Sequence, residues 1–415
     1  MPNTIHVVAG IGIFIFTTAL LFAYSAVESL DAESDNFVHN VLEPSETNFV
    51  KKKSVEPISE KIQRIVQGMR LPNPLQTVDT SLSYDIHKCP PTIPKNYPQQ
   101  WSVIDVLSHW HPDETTVPSH IHQGLCELDW TNPQDRIIAE RYREAELPFL
   151  IHNHPQLWKA SEQWSHREYL SKQLGKRKTR NEHSTNNNHM PYWKDRGNLP
   201  VGWKPPTENV ELTFDEWYEK AVELETSSDP IHTDHFYFRL NGEVDPEQHL
   251  NLRKKKKTKS EKNSWIYDDL PMFLPVQNFF FVDPDGYRGI NCRLGSKGTI
   301  AEMHYDFSRN FIVLLGGRKR YVLADPTQCP NLELFPSRHP SARHSSVDWS
   351  NPNDWHTGKF PQAQVNEVVL QAGDILYLPT AWFHFIVSLN KNYQCNARSG
   401  ITYEHKQTIS ACGFS

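Results

Sequence analysis

Short apolar runs broken by turn residues fill the last third of the chain. Strands are predicted at 279–282, 289–294, 311–315, 318–323, 368–370, 375–378 and 385–389, with turns at Asp285-Gly286, Gly316-Gly317 and Ala372-Gly373-Asp374. Many short strands at this spacing predict a mainly β barrel or jelly roll. Upstream the pattern is mixed. Helices are predicted at 134–145, at 158–174 and from Thr213, where Thr213 is the N-cap and Glu216 follows three residues on. Strands are predicted at 147–151 and, from its aromatic content, 235–240. The Asn-rich stretch 181–189 reads as polar chain.

Residues 31–98 are polar and Pro-rich, the signature of a stem. Within it Ile58, Ile62, Ile65, Val66 and Met69 share one helical face between Pro57 and Pro72. The run 7–27 carries no charged side chain and is long enough for one helix to cross a hydrocarbon core of about 30 Å. It is expected to be a membrane anchor. A cleaved signal peptide ending near Ala23-Tyr24-Ser25, giving a secreted form, is the rival. The default orientation puts the N-terminus in the cytosol and the catalytic part in the ER or Golgi lumen. The expected divisions are an anchor or signal at 1–30, a stem at 31–98, a helical lead-in at 99–146 and a catalytic domain at 147–415.

The 415 residues have a net charge of −6, so no global footprint for nucleic acid is present. Twelve Trp, 15 Tyr and 20 Phe suffice for a large core. The basic run 253–259 reads as a solvated surface insertion. Six cysteines (89, 126, 292, 329, 395, 412) show no C-x-x-C and no zinc spacing; they leave 15 pairings open and decide nothing about compartment. No Asn-x-Ser/Thr sequon occurs.

Candidate chemistry begins with His-x-Asp, because residues two apart on a strand share a face and can converge on one metal ion. Three copies occur: His111-Pro112-Asp113, His232-Thr233-Asp234 and His304-Tyr305-Asp306. Pro112 suits a turn rather than a ladder, and His232 has no downstream partner pattern. The His109/His111 and His120/His122 pairs read as surface or capping residues. After His304 a predicted hairpin returns with Lys319, and the Gly373 turn leads through Pro379 and Trp382 to His384, with Asn396 on the next strand. Singly, Lys319 reads as a surface lysine and His384 as a core histidine. Together and in this order they make two His and a carboxylate, a facial triad with open positions suited to non-haem Fe(II), plus a buried cation that needs an anion.

His304-x-Asp306, Asn310, Lys319, Gly373-Asp374, Pro379, Trp382 and His384 resemble the JmjC/cupin-like Fe(II)- and 2-oxoglutarate-dependent oxygenases. His339-Pro-Ser-Ala-Arg343 and Ser346 to Pro352 give the nearest likeness within them to asparaginyl hydroxylases. The resemblance covers about 265–400, and more loosely 147–264. It implies a double-stranded β-helix with flanking helices, iron held by His304, Asp306 and His384, and 2-oxoglutarate bound by Lys319 with Tyr237, Asn310 and Asn396. It implies consumption of O₂ and hydroxylation, or demethylation, of a protein or peptide side chain near Arg343 and His344. Two departures stand out. Ala301 occupies a position where relatives often carry Thr, and Arg343-His344 replaces Arg-Gln at the substrate. The alternatives are a non-catalytic cupin scaffold and a small-molecule cupin enzyme using Zn or Mn. Nucleic acid is not expected as a partner, and a monomer is favoured.

Overall fold

The central strands set the architecture, with one face toward a barrel interior and one toward an outer core. The computed structural model describes residues 82–192, 202–244, 262–286 and 288–414. Their strands are β1 (Trp101–Ser102), β2 (Glu127–Asp129), β3 (Phe149–His152), β4 (Thr179–Ser184), β5 (Asn188–His189), β6 (Glu208–Leu212), β7 (His235–Gly242) and β8 (Ile290–Gly295). They continue with β9 (Ile300–Tyr305), β10 (Asn310–Gly316), β11 (Arg318–Ala324), β12 (Gln364–Gln371), β13 (Ile375–Leu378), β14 (Phe383–Ser388) and β15 (Asn392–Arg398). The helices are α1 (Val103–His109), α2 (Pro133–Glu144), α3 (Pro155–Ser165), α4 (Arg167–Leu174), α5 (Phe214–Thr226), α6 (Trp265–Asp269) and α7 (Lys406–Ala411).

One sheet has six strands in the order β1-β12-β11-β14-β9-β5; the other has nine, β2-β3-β13-β10-β15-β8-β7-β4-β6. The two form the jelly roll expected from the strand spacing. Outside the nine-stranded sheet, Phe311, Val313, Cys395 and Leu294 pack under α2 to α6. Outside the six-stranded sheet, Val322, Phe383 and Phe385 pack against α1 and the 326–363 segment. Leu125, Leu150, Leu314, Leu323, Leu370 and Leu376 fill one part of the interior. Gly317, at φ 75°, turns β10 into β11 where a Cβ would meet the Lys391 carbonyl.

All six cysteines are paired: Cys89–Cys126, Cys292–Cys395 and Cys329–Cys412. Cys292 and Cys395 are direct register partners of β8 and β15. A capping box at Thr213 and Glu216 opens α5 as the sequence indicates.

Several expectations need correction. Residues 279–282 are not a strand; the Asn278 side chain accepts the Phe280 and Phe281 N–H groups, and Phe279 and Phe280 pack edge-on in an aromatic cluster. The helix expected at 158–174 is two, separated where His166 takes an extended backbone conformation. The polar stretch 181–189 contributes β4 and β5, because the face it supplies is itself polar. Tyr84, Ile86, Cys89 and Tyr97, assigned to a stem, pack onto the domain, with the Tyr97 hydroxyl donating to the Pro148 carbonyl at 2.6 Å.

The placement as a single-pass membrane protein with a lumenal catalytic part is also corrected. Among the described residues no helix is long and apolar enough to cross a membrane. The run 7–27, the helical pattern expected at 58–69 and the basic run 253–259 lie outside the described residues.

Candidate metal centre

β9 and β14 lie side by side with His304 opposite His384. A bulge sets Glu302 and Met303 against Phe385 alone, between the pairs Ala301↔Ile386 and His304↔His384. That extra residue shifts the side-chain parity. Ala301, His304 and Asp306 all line the interior, whereas Ile300, Met303 and Tyr305 join the outer core.

His304, Asp306 and His384 each offer a ligand atom, all within 4.8 Å of one another. The Nδ1 of His304 lies 2.6 Å from the Glu302 carbonyl, and that of His384 lies 3.1 Å from the Trp382 carbonyl. Each Nδ1–H therefore donates to backbone, leaving both Nε2 lone pairs for a metal. Burial lowers the pKa of both imidazoles and keeps them neutral. Burial alone would raise the Asp306 pKa. The Arg398 guanidinium, whose Nη2 donates to Oδ2 at 2.5 Å, and nearby cations including Arg343 hold it well below the usual range. Two neutral imidazoles and an ionised carboxylate with an open side match the donor set of non-haem Fe(II).

Other sequence candidates surround the triad. Asn310, Asn396, Tyr237, Arg343 and His344 line the same cavity of about 280 Å³. The Asn396 amide donates to Asn310 Oδ1 at 2.8 Å. The His344 ring stacks on His304 with centroids 4.9 Å apart. Arg343, at φ 73°, donates to the Tyr305 carbonyl at 2.9 Å. Lys319 is wholly buried, and its ammonium donates to the Tyr237 hydroxyl at 2.8 Å. Tyr237 lines the cavity and Lys319 stands behind it. Burial, and secondarily Arg293, lower the Lys319 pKa to about 7.

The other His-x-Asp pairs stay apart. His232 meets Asp229 in an exposed loop, and His111 faces Asp113 at 3.8 Å. The sequence reading missed Glu182, Arg239, Arg293 and Arg398. Each lines the cavity from β4, β7, β8 or β15, and no local pattern marks them, because charged residues on such strands ordinarily face solvent.

A second cavity, about 570 Å³, meets the first at Asp306, Arg343 and Arg398. Phe307, Ile401, Ile409 and Phe414 give it apolar walls, and Arg288 and Lys406 add charge.

Residues 135–399 match the cupin-like domain family. The chain is 31% identical over 134 residues to lysine-specific demethylase JMJ31 of Arabidopsis thaliana, covering 30% of this chain and 24% of that protein. It is 28% identical over 178 residues to tRNA wybutosine-synthesizing protein 5 of Gallus gallus, covering 43% and 50%. Lysine-specific demethylase 8 of Xenopus tropicalis is 31% identical over 106 residues, covering 25% and 23%. The chain thus spans no more than half the length of these relatives. With the family match extending over most of the chain and the jelly roll and His-Asp-His group inside it, this chain belongs to the cupin-like, JmjC-related family.

Proposed function

We propose that this chain is an Fe(II)- and 2-oxoglutarate-dependent oxygenase that hydroxylates a protein side chain. The observation that carries the reading is the convergence of His304, Asp306 and His384 on one point of a polar barrel interior. His304 and His384 would hold the iron through Nε2, and Asp306 through a carboxylate oxygen. The iron with 2-oxoglutarate supplies the oxidant: one atom of O₂ ends in succinate, the other in the hydroxylated product, and CO₂ leaves.

The chain's own residues orient and exclude. The Lys319 ammonium donates to Tyr237, leaving the phenol O–H to be donated to the distal carboxylate of the co-substrate. Asn310, whose amide oxygen is satisfied by Asn396, keeps its N–H donors for the same ligand. Arg398 fixes the carboxylate of Asp306, and His344 stacks on His304 to hold its ring plane.

Substrate would reach the centre through the outer cavity. The cations lining it are Arg288, Arg343, Arg398 and Lys406, and the one carboxylate among the lining residues is that of Asp306. Such a mouth disfavours a methylated lysine cation and so favours hydroxylation over demethylation. The net charge of −6 favours a protein over a nucleic-acid substrate. The test is succinate formation from 2-oxoglutarate by the purified full chain with Fe(II). His304→Ala is expected to abolish it, and absence of co-substrate turnover by the wild type would sink the proposal.

A further inference from the structure

The polar part of the barrel interior holds more positive charge than a buried surface tolerates without an anion. β7 and β8 set Arg239 directly opposite Arg293, a like-charge cross-strand pair on the interior face. Glu182 on β4 forms an ion pair with Arg239. Lys319 adds a third cation close enough to Arg293 for each to matter electrostatically. Among the residues lining this cavity the carboxylates are Glu182 and Asp306, and Asp306 belongs to the metal group. Arg293 donates Nη1 to the Cys292 carbonyl at 3.2 Å and has no ion pair among the described residues. Desolvating a guanidinium costs several kcal/mol unless a charge compensates it.

Two further observations fix what that charge is for. Arg293 lines the cavity itself, whereas Lys319 lies behind the Tyr237 hydroxyl. The interior position on β9 that faces the same space is Ala301, which offers no hydroxyl. From this we infer that Arg293 is a direct anchor for the distal carboxylate of the 2-oxo acid, where Ala301 offers no donor, alongside Lys319 and Tyr237. The inference rests on the oxygenase reading above. A guanidinium suits it because its fork of N–H donors grips a carboxylate through two parallel hydrogen bonds.

The experiment compares two ligands on Mn(II)-loaded full-length protein by calorimetry: 2-oxoglutarate, and 2-oxobutyrate, which keeps the chelating end and lacks the distal carboxylate. Arg293→Leu is expected to weaken 2-oxoglutarate roughly 10- to 100-fold, the span of one lost charged hydrogen bond. The affinity for 2-oxobutyrate should be unchanged, so that discrimination between the two ligands collapses. Arg293→Lys should restore part of it. In the ligand-free protein Arg293→Leu should not lower the thermal midpoint, since it relieves repulsion with Arg239. A merely structural role would weaken both ligands together and lower that midpoint. An unchanged ratio in Arg293→Leu, with the wild type binding 2-oxoglutarate, overturns this inference alone. A wild type that binds neither ligand with Mn(II) overturns the oxygenase reading and this inference with it.

Discussion

Lys319 shows how a single side chain acquires a function from its surroundings. Its pKa, brought down to about 7 by burial and then by Arg293, leaves it partly neutral near physiological pH in the ligand-free state. Between about 7 and its unfolded value of 10.5 the unfolded chain binds more protons than the folded one, so this group makes stability rise with pH across that window. Binding a carboxylate favours the ammonium and opposes that trend. Affinity for 2-oxoglutarate should therefore weaken as pH rises above about 7, approaching tenfold per pH unit, and Lys319→Arg should flatten the profile. Calorimetry across neutral pH with Mn(II) measures both; a flat wild-type profile would count against the shifted lysine. At the same scale, spacing alone left His304-x-Asp306 one of three such pairs, and it was the downstream Lys319 and His384 that singled it out. Arg293 was not legible, because an arginine on a predicted strand is ordinarily a solvent-facing residue.

Among elements, one buried pair ties the end of α1 to the barrel beside its apolar packing. Arg320 on β11 reaches Glu367 on β12 through Nε at 2.8 Å and Nη2 at 2.7 Å, and donates Nη1 to the Trp110 carbonyl at 2.7 Å. Its guanidinium lies over the Trp110 ring at 4.2 Å, and Glu367 also accepts the His122 N–H at 2.7 Å. Both side chains are fully buried. Glu367→Ala should cost about 3–5 kcal/mol by urea unfolding, since it strands a buried charge, whereas an apolar replacement of both partners should cost far less. Equal losses from the single and double replacements would refute that account. Apolar runs bounded by turn residues predicted the strands 375–378 and 311–315 well, since both faces of each are apolar and buried, one toward the outer core and one within the barrel. They failed at 279–282, where side-chain acceptance of backbone N–H groups competes with a ladder, and at 181–189, where both faces of the strand look polar.

For the whole molecule, charge is distributed against its own total. The chain carries −6, yet the mouth of the site gathers Arg288, Arg343, Arg398 and Lys406. Two short peptides, identical except that aspartates in one are lysines in the other, should bind the Mn(II)- and co-substrate-loaded protein unequally. The acidic one should bind at least about tenfold tighter, a gap that shrinks as ionic strength rises. Fluorescence anisotropy reads this directly, and tighter binding of the lysine peptide would return demethylation as the better reading. The disulfides belong to this scale too. Cys292–Cys395 closes a separation of 103 residues between the neighbouring strands β8 and β15, and replacing both cysteines by Ala should cost about 2–5 kcal/mol in denaturant unfolding.

The sequence by itself determined the jelly roll, the His-Asp-His group and the order of elements that delivers it. These depend on short apolar runs broken by turns and on residue types that have few other uses in combination. The tertiary structure decided the rest. Six cysteines permit 15 pairings, and only strand register makes Cys292 and Cys395 neighbours. The bulge at Glu302 and Met303 aims Ala301 into the cavity, and no local signal encodes an extra residue opposite Phe385. Three neighbouring strands of one sheet, β4, β7 and β8, bring Glu182, Arg239 and Arg293 around one cavity, because a sheet sums its charges across strands and a linear pattern cannot.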